Sequence, residues 1–347
     1  MSEMPRPWPQ SDLEAVQHCP VCGSVERALL YKGLTDRVFC VADGAWDLYR
    51  CTKCASGYID PRPTPASIGR AYAGYYTHDT EDHPVVRRKG LIRSLLHDLI
   101  NGYQNHRYGL QRSPALPFGR WLLPMLPSLR TAADAECRHM PPLPAGGGRL
   151  LDVGSGNGGF LVLAKQAGWQ VEGLDFDLSA VQAARSRGLE VHHGGIEVVG
   201  ERIACYDVIT LCHVIEHVHD PIATLRGLHA LLKPGGILWL DTPNLSSLGA
   251  VRFGQYWRGL ETPRHLVLFS PRAMRDALIR AGFRSQKQYW RGLSLFGVFA
   301  SSEALESNQS AKDASHQGRP PLRDVLAELR EMLQPARREF LTLSARK

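Results

Sequence analysis

The second half of the chain alternates between two hydrophobic patterns. Short apolar runs, typical of buried strands, are separated by stretches in which apolar residues recur every three or four positions, as on one face of a helix. The predicted strands are "RLLDVG", "WQVEGLD", "LEVHHG", "YDVITLC", "ILWLDT", "FRSQKQYW" and "REFLTLSARK". This alternation predicts an α/β fold with a seven-stranded, mostly parallel sheet and helices on both faces, the last strand lying at an edge.

The first half of the chain has a different composition and predicts smaller units. We expect four regions: a flexible tail over 1–15, a cysteine-rich module over 16–62, a basic helical linker or lid over 63–145, and the sheet domain over 146–347. A leucine repeat at helical spacing predicts the face with which the helical segment packs: Leu91, Leu95, Leu96 and Leu99. Residues 301–320 are poor in apolar residues, which predicts a mobile insertion in the sheet domain.

Charge is concentrated in one part of the sequence. The formal net charge of the 347-residue chain is +7, and residues 83–130 alone carry it, with eight basic residues and the single acid Asp98. Such a segment could bind nucleic acid, an anionic membrane surface or an acidic substrate. Alternatively, it is a solvent-exposed helical face with no binding role. The N-terminus lacks the pattern of a signal peptide and no run is long enough to span a membrane, so we expect a cytoplasmic protein.

The first predicted strand of the sheet runs into a glycine-rich turn. Gly154, Gly156 and Gly159 in "LLDVGSGNGGF" fit the spacing of a dinucleotide-binding turn. Asp152 stands two positions before the first glycine, where its negative charge would repel a pyrophosphate but would suit the cationic groups of S-adenosylmethionine. Asp175 ends the next strand, where a carboxylate accepts the two ribose hydroxyls of a nucleoside. These residues favour S-adenosylmethionine over a nicotinamide cofactor.

Four motifs in this order carry a resemblance to a known family. "LLDVGSGNG", "VEGLDFD", "YDVITLCHVIEHVHDP" and "LLKPGGILWLDTPN" resemble the class I S-adenosylmethionine-dependent methyltransferases, in the branch of the ubiquinone-pathway O-methyltransferases. The resemblance covers roughly 149–290 and implies a Rossmann-like domain. It implies that the cofactor is bound by Asp152, Gly154, Ser155, Gly156, Gly158, Asp175, Phe176, Gly195, Ile196, Leu211 and His213. Many relatives have cysteine at the position of Ser155.

Two C-x-x-C pairs lie in the cysteine-rich module. Cys19 and Cys22 in "CPVC", and Cys51 and Cys54 in "CTKC", can present four thiolates to one tetrahedral ion. In a cytosolic protein this spacing favours structural Zn²⁺ over disulfides, with iron as the alternative. The pattern is similar to the N-terminal module of bacterial sugar C-methyltransferases, and we expect loss of the metal to unfold this module while the sheet persists.

Candidate catalytic residues follow the fourth and fifth strands. Methyl transfer needs a general base only when the acceptor must lose a proton, and histidine is suited to that role near neutral pH. "CHVIEHVHD" offers Glu216 and His217, and "ETPRHLVLFS" offers Arg264 and His265. Each could instead brace the fold, and a Glu–His pair could take part in binding a divalent metal.

Three classes of function remain open from the sequence. The first is methyl transfer from S-adenosylmethionine to oxygen or carbon of a small-molecule, lipid-like or glycan or nucleotide-sugar acceptor. The second is an RNA methyltransferase that binds nucleic acid through the zinc module and the basic helices. The basic segment lacks the interleaved aromatic residues of a single-strand platform, so nucleic acid is the less favoured partner. Residues 83–130 are instead expected to form a lid over the acceptor pocket, which could also contact a membrane surface. The third, a nicotinamide oxidoreductase, is disfavoured by Asp152.

Overall fold

Short antiparallel strands form the N-terminal part of the computed structural model, which describes residues 8–72, 90–311 and 320–347. The strands are β1 (Leu13–Glu14), β2 (Arg27–Leu34), β3 (Trp46–Cys51), β4 (Gly57–Ile59) and β5 (Arg62–Pro63). β3 lies between β2 and β4 in one sheet, and β1 pairs with β5. Trp46 and Leu48 alternate along β3 and are both buried, so one face of this sheet packs against the rest of the protein.

Three helices follow: α1 (Leu91–Tyr108), α2 (Gly119–Leu122) and α3 (Pro127–Glu136). Gly109, in the left-handed conformation with φ 72°, ends α1. The buried part of α1 is its C-terminal half, which includes Ile100, Tyr103 and Gln104. Leu91 and Leu95 are exposed while Leu96 and Leu99 are half-buried, so only part of the predicted leucine face packs. Ile100 and Tyr103 of α1 pack with Ala133 of α3, and Gln104 donates a hydrogen bond to Glu136.

The remaining strands and helices form the predicted α/β domain. The strands are β6 (Arg149–Val153), β7 (Gln170–Asp175), β8 (Val191–His193), β9 (Tyr206–Cys212), β10 (Leu232–Pro243), β11 (Val267–Leu268), β12 (Arg284–Tyr289) and β13 (Phe340–Arg346). The helices are α4 (Gly159–Gln166), α5 (Leu178–Ser186), α6 (Pro221–Leu231), α7 (Leu248–Phe253), α8 (Pro271–Arg280), α9 (Ser294–Glu306) and α10 (Leu322–Leu333). Side chains that accept backbone N–H groups begin four of these helices: Asp177, Asp220, Ser247 and Ser270.

The sheet has seven strands in the order β12-β13-β10-β9-β6-β7-β8. Its strands are parallel except β13, which runs antiparallel to both neighbours, so the predicted mostly parallel sheet is confirmed. The chain reverses between β6 and β9, and the carboxyl ends of both strands meet at that switch point.

Two predicted details differ from the structure. β13 was expected at an edge, but it lies between β10 and β12, because the later part of the chain returns to fill that gap in the sheet. The predicted insertion over 301–320 begins inside α9, which continues to Glu306, and residues 312–319 lie outside the described part of the chain.

The N-terminal module and the sheet domain share a sheet and a core. β11, from the second half of the chain, pairs with β4 of the module. One hydrophobic cluster contains Trp46 and Cys54 of the module together with Leu240 and Phe269 of the sheet domain. The predicted boundary at residue 62 therefore separates segments that pack as one unit. No helix in the described ranges has the length and apolar character needed to cross a membrane.

Candidate active site and metal centre

The glycine turn after β6 is shaped by three left-handed residues. Gly154, Gly156 and Gly158 have φ values of 73°, 54° and 80°. A Cβ atom at Gly154 or Gly158 would come within 2.3 Å of a neighbouring side chain, whereas a Cβ at Gly156 would meet nothing within 4 Å. Gly156 therefore borders open space, and the outer two glycines allow the turn to pack. Ser155 is buried, and its hydroxyl lies against Gly173 of β7.

Asp175 closes the other side of this turn. One carboxylate oxygen accepts the backbone N–H of Gly156 at 2.7 Å, and the other accepts that of Asp177 at 2.9 Å. Burial raises the pKa of Asp175, and these two hydrogen bonds oppose that effect. Each oxygen keeps a second lone pair, so the carboxylate can still accept hydroxyl groups of a ligand.

A recess beside Asp175 contains two further predicted cofactor residues. The Phe176 ring is 70% exposed and lies against Gly195, where an added Cβ would be 2.7 Å from it. Ile196 instead turns toward α6 and packs against Gly227. Phe176 and Gly195 therefore form an apolar surface next to the Asp175 carboxylate. Ile196 does not face this surface but packs between it and α6.

Asp152 does not face the turn as a free carboxylate. It is completely buried, it forms an ion pair with Arg138, and it accepts a hydrogen bond from the Thr210 hydroxyl at 2.8 Å. Burial raises the pKa of Asp152 and the Arg138 guanidinium opposes that shift. The argument that its charge would repel a pyrophosphate must be corrected, because the charge is already balanced inside the protein. Oδ2 of Asp152 is buried without a hydrogen-bond partner.

The end of β9 carries two predicted residues with different outcomes. Leu211 is fully buried in the hydrophobic core, so its side chain does not line the cofactor site as expected. His213 has a positive φ of 54° and lies at the carboxyl edge of the sheet. Its Nδ1 is 3.2 Å from Glu216, and its Nε2 is 3.4 Å from Asp241, which itself pairs with Arg291.

The three predicted catalytic residues come together. Glu216, His217 and His265 each place a potential ligand atom within 4.8 Å of the others. Nδ1 of His217 faces the carbonyl oxygen of Arg264 at 3.0 Å, and Nδ1 of His265 faces that of Gly259 at 2.8 Å. A carbonyl only accepts hydrogen bonds, so in each neutral ring Nδ1 carries the hydrogen and Nε2 keeps its lone pair.

The electrostatics of this trio are set by burial and by close contacts. Burial alone would raise the pKa of Glu216, but the hydrogen bond from His213 and the adjoining imidazoles lower it to about 2. Burial lowers the pKa of His265 to about 4, so that ring is neutral at pH 7. Glu216 is therefore an ionised, fully buried carboxylate beside two imidazoles, and its Oε2 has no hydrogen-bond partner. One oxygen and two nitrogens are also a donor set that a divalent cation accepts.

Tyr72 was not identified from the sequence, and Arg264 was identified without its partner Asp36. The Tyr72 hydroxyl, from the N-terminal part, lies 3.0 Å from Nδ1 of His217. Arg264, next to His265 in the chain, is fully buried and makes a two-pronged ion pair with Asp36 of the module at 2.6 and 3.0 Å. These contacts join segments far apart in sequence, and no local spacing could have indicated them.

The four predicted metal ligands form one cluster. The Sγ atoms of Cys19, Cys22, Cys51 and Cys54 lie within 4.8 Å of one another. Cys19 and Cys54 are 3.6 Å apart, and Cys22 and Cys51 are 3.5 Å apart. A tetrahedral zinc site with Zn–S bonds of about 2.3 Å requires sulfurs about 3.8 Å apart, so the arrangement fits such an ion.

The two C-x-x-C pairs lie in backbone turns of the same geometry. The N–H of Gly23 returns to the carbonyl of Cys19, and the N–H of Ala55 returns to that of Cys51. Gly23 and Ala55 both adopt positive φ, at 77° and 62°. The second turn thus repeats the geometry of the first although it contains no glycine.

Comparison with known proteins agrees with this geometry. Residues 128–288 match the family described as "Methyltransferase domain". The chain is 37% identical over 105 residues to the ubiquinone biosynthesis O-methyltransferase of Bordetella avium, a match that covers 28% of this chain and 44% of that protein. The Haemophilus ducreyi protein of the same name is 36% identical over 109 residues, covering 28% and 46%. The chain thus spans less than half the length of these curated relatives.

Two solved structures are similar to the chain at lower identity. A SAM-dependent methyltransferase from Archaeoglobus fulgidus is 22% identical with a TM-score of 0.44, covering 63% of this chain and 93% of that one. The S-adenosylmethionine-dependent methyltransferase from Mesorhizobium loti is 20% identical with a TM-score of 0.42, covering 62% and 98%.

The matched range includes the turn after β6, Asp175 and the trio member Glu216. The family whose model matches residues 128–288 is therefore of the kind that the four motifs resemble.

Proposed function

We propose that this protein transfers a methyl group from S-adenosylmethionine to a small-molecule, lipid-like or glycan or nucleotide-sugar acceptor. The observation that carries the proposal is the Glu216–His217–His265 trio, in which two residues after β9 meet one after β10 within the matched methyltransferase domain. Gly156, Asp175, Phe176 and Gly195 are the residues that would hold the cofactor, because they surround the open space beside the glycine turn.

Bound S-adenosylmethionine would supply a methyl group on a sulfonium, which is already an excellent leaving group. The protein's part is then to align the acceptor, exclude water and remove a proton. Nε2 of His217 would take the proton of an acceptor hydroxyl while the new oxygen–methyl bond forms. The carbonyl of Arg264 fixes the ring tautomer and Glu216 stabilises the resulting imidazolium.

The proposal is tested by separating binding from transfer. His217→Gln should bind S-adenosylhomocysteine with the affinity of the unaltered protein in calorimetry but should transfer methyl at least about 100-fold more slowly. His229→Gln, on α6, is the matched control. Failure of the unaltered protein to bind S-adenosylhomocysteine would refute the proposal, and unchanged transfer by His217→Gln would refute the role of this residue. Loss of transfer on chelation, with the cysteine-bound metal retained, would assign the trio to a divalent cation instead of base catalysis.

We infer in addition that the four-cysteine cluster holds one structural Zn²⁺. The sulfur distances and the two matching turns support this, and the thiolates close the coordination sphere, so the ion has no direct part in methyl transfer. Four reduced cysteines also favour the cytoplasm as the compartment.

The helical segment favours a membrane surface over RNA as its partner. Exposed apolar side chains cluster beside exposed Arg120: Phe118, Trp121, Leu122 and Met125. An RNA-binding face would be mainly basic, but Arg112 is turned inward to Glu136. Arg87, Arg88 and Lys89, three of the eight basic residues of this segment, lie outside the described residues. Binding to anionic vesicles that is lost in Trp121→Ala would support this contact, and tight RNA binding at 200 mM salt would instead support the RNA methyltransferase.

A further inference from the structure

Two adjoining cavities lie between the helical segment and the β12–β13 side of the sheet. Their volumes are about 560 and 270 Å³. Arg107, His139, Lys287 and Tyr289 line both, so the two spaces meet along these residues. The cavities are separate from the open space at Gly156, because none of the glycine-turn residues lines them.

The larger cavity is strongly basic. Four cationic side chains line it: Arg107, Arg130, Lys287 and Arg338. The acid in its wall, Asp134, already accepts hydrogen bonds from the hydroxyls of Tyr103 and Tyr108 at 2.8 and 2.7 Å. Within the described part of the chain, Arg107, Arg130 and Lys287 form no ion pair. Their positive charge is therefore available to a ligand.

Two buried polar atoms in the wall lack partners. Nε of Arg130 and Nε2 of His139 are both shielded from solvent and make no hydrogen bond with any described residue. A buried guanidinium N–H without an acceptor costs free energy, which a ligand oxygen would recover. His139 stacks on Tyr289 with ring centroids 4.0 Å apart, and Trp290 is buried beside them, so an aromatic wall adjoins the basic one.

The cavity lies a few strands away from the end of β9, the strand that precedes Glu216 and His217. In the sheet, Tyr289 is in register with Thr342, which is in register with Asp241 and in turn with Cys212. Three strand spacings place Tyr289 about 14 Å from the end of β9. Arg291 lies two residues after Tyr289 and pairs with Asp241, and its guanidinium is 3.3 Å from Nε2 of His213. A ligand of moderate size held at Tyr289 could therefore extend to the carboxyl edge of the sheet.

We propose that this cavity binds a phosphate group of the methyl acceptor. Guanidinium and ammonium groups are the side chains that bind phosphate oxygens most strongly, and the aromatic wall suits the organic part of the same molecule. The identification of the ligand as the acceptor rests on the proposed methyltransferase function, whereas the phosphate site itself does not. The phosphate belongs either to a soluble phosphate ester or to a lipid headgroup, and both present the same chemistry to the four cations.

The test measures phosphate binding directly. Inorganic diphosphate and uridine diphosphate are titrated into the full-length protein by calorimetry, and vesicles of phosphatidylcholine with and without phosphatidic acid are tested by flotation. Arg130→Gln and the exposed Lys287→Gln should each weaken binding at least tenfold. Arg226→Gln, which removes an exposed arginine on α6, should leave it unchanged.

Each result has a defined meaning. Saturable binding of uridine diphosphate that both variants weaken supports a soluble phosphate ester, and vesicle binding that requires phosphatidic acid and that both variants lose supports a lipid headgroup. Absence of saturable binding to every probe, or binding that the control variant weakens equally, overturns the proposal. S-adenosylhomocysteine is titrated in parallel, so that loss of phosphate binding with retained cofactor binding refutes only this inference.

Discussion

Arg138 and Asp152 show how a charge inside the sheet domain is balanced. The guanidinium contacts the Asp152 carboxylate, lies 2.9 Å from the Thr210 hydroxyl and packs over the Phe160 ring at 4.0 Å. Arg138 itself has a positive φ of 47°, just after the end of α3, which directs its side chain back over the sheet. The pair therefore fixes the helical segment to β6 directly before the glycine turn.

Removing the arginine should destabilise the fold. In Arg138→Gln the Asp152 carboxylate stays fully buried without a counter-charge, which costs about 3 kcal/mol of unfolding free energy. Urea denaturation measures this loss, and the double variant Arg138→Gln/Asp152→Asn should recover most of it because no charge then remains. An unfolding free energy within about 0.5 kcal/mol of the unaltered protein would contradict this role for the pair.

Asp175 should contribute to cofactor affinity through hydrogen bonds. Asp175→Ala removes the acceptor for ribose hydroxyls and also frees the N–H of Gly156, so binding of S-adenosylhomocysteine should weaken by about 1–3 kcal/mol. Calorimetry checks this. The control is Glu190→Gln, which changes an exposed residue directly before β8. Equal affinities of Asp175→Ala and the unaltered protein would place the nucleoside elsewhere.

At the residue scale, the sequence revealed what depends on local spacing. Gly154, Gly156 and Asp175 were predicted because a strand followed by a turn fixes their positions relative to one another. The sequence also indicated Glu216 and His217, which follow one strand. The contact of Tyr72 with His217 joins residues 145 positions apart, and the ion pair of Arg264 with Asp36 spans 228. Such contacts are set by packing of distant segments, which one sequence does not display.

At the element scale, α10 has its polar and apolar faces reversed. Its leucines are exposed, at 74% for Leu322, 58% for Leu326 and 75% for Leu333. Its acids are buried instead: Asp324, Glu328 and Glu331. These acids accept hydrogen bonds from groups on other elements, including the N–H of Leu293 to Glu328 at 2.7 Å. The helix is therefore attached through polar contacts, and its hydrophobic pattern alone would predict the opposite orientation.

Glu331 makes the stability of the protein depend on pH. Burial and the nearby Glu339 carboxylate raise the pKa of Glu331 to about 9, above the 4.5 of an exposed glutamate. Between those values the folded state keeps a proton that the unfolded state has lost, so stability falls as pH rises from about 4.5 to about 9.

Glu331→Gln should remove this dependence, because glutamine keeps the oxygen that accepts the N–H of Glu339 and cannot ionise. We expect the variant to be more stable than the unaltered protein at pH 8, by of the order of 3 kcal/mol, and nearly equal to it at pH 5. Thermal unfolding at both pH values measures this, with exposed Glu306→Gln as control. A variant that is less stable at pH 8 would show that Glu331 is ionised in the folded protein.

The elements themselves were predictable to different degrees. β6 and β9 are rich in apolar residues and largely buried, whereas β7 carries Gln170 and Glu172 and is buried only at its centre. The prediction of all three strands is confirmed. β11 consists of Val267 and Leu268 alone and pairs with a strand of the N-terminal module. A two-residue strand has no periodicity to detect. The position of β13 inside the sheet likewise depends on which strands it pairs with, and not on its own pattern.

At the scale of the whole molecule, the cysteine module is part of the architecture of the active site. β4 of the module holds β11, and His265 lies two residues before β11. Asp36 of the module holds Arg264, the carbonyl of which orients His217. Ser270 donates to the carbonyl of Cys54, and Arg280 donates to that of Val21 in the first cysteine turn. The turns of the four-cysteine cluster are therefore linked to His217 and His265 by short chains of contacts.

This linkage changes what loss of the metal should do. The sequence predicted that the module alone would unfold, but the shared sheet and core predict that Cys51→Ser weakens the whole protein in one transition. We expect the melting temperature to fall by about 4 °C for a loss of about 3 kcal/mol, and zinc to be absent by elemental analysis. Methyl transfer should fall further than the affinity for S-adenosylhomocysteine, because His217 and His265 depend on the module and the glycine turn does not contact it.

Cys40→Ser is the matched control, since Cys40 is an exposed thiol of the same module outside the cluster. It should keep its zinc, its melting temperature and its transfer rate. Two separate unfolding transitions in Cys51→Ser, with full methyl-transfer activity at temperatures between them, would show that the module folds independently. Equal losses of transfer and of cofactor affinity would instead show that the metal supports the entire sheet, and not the histidines in particular.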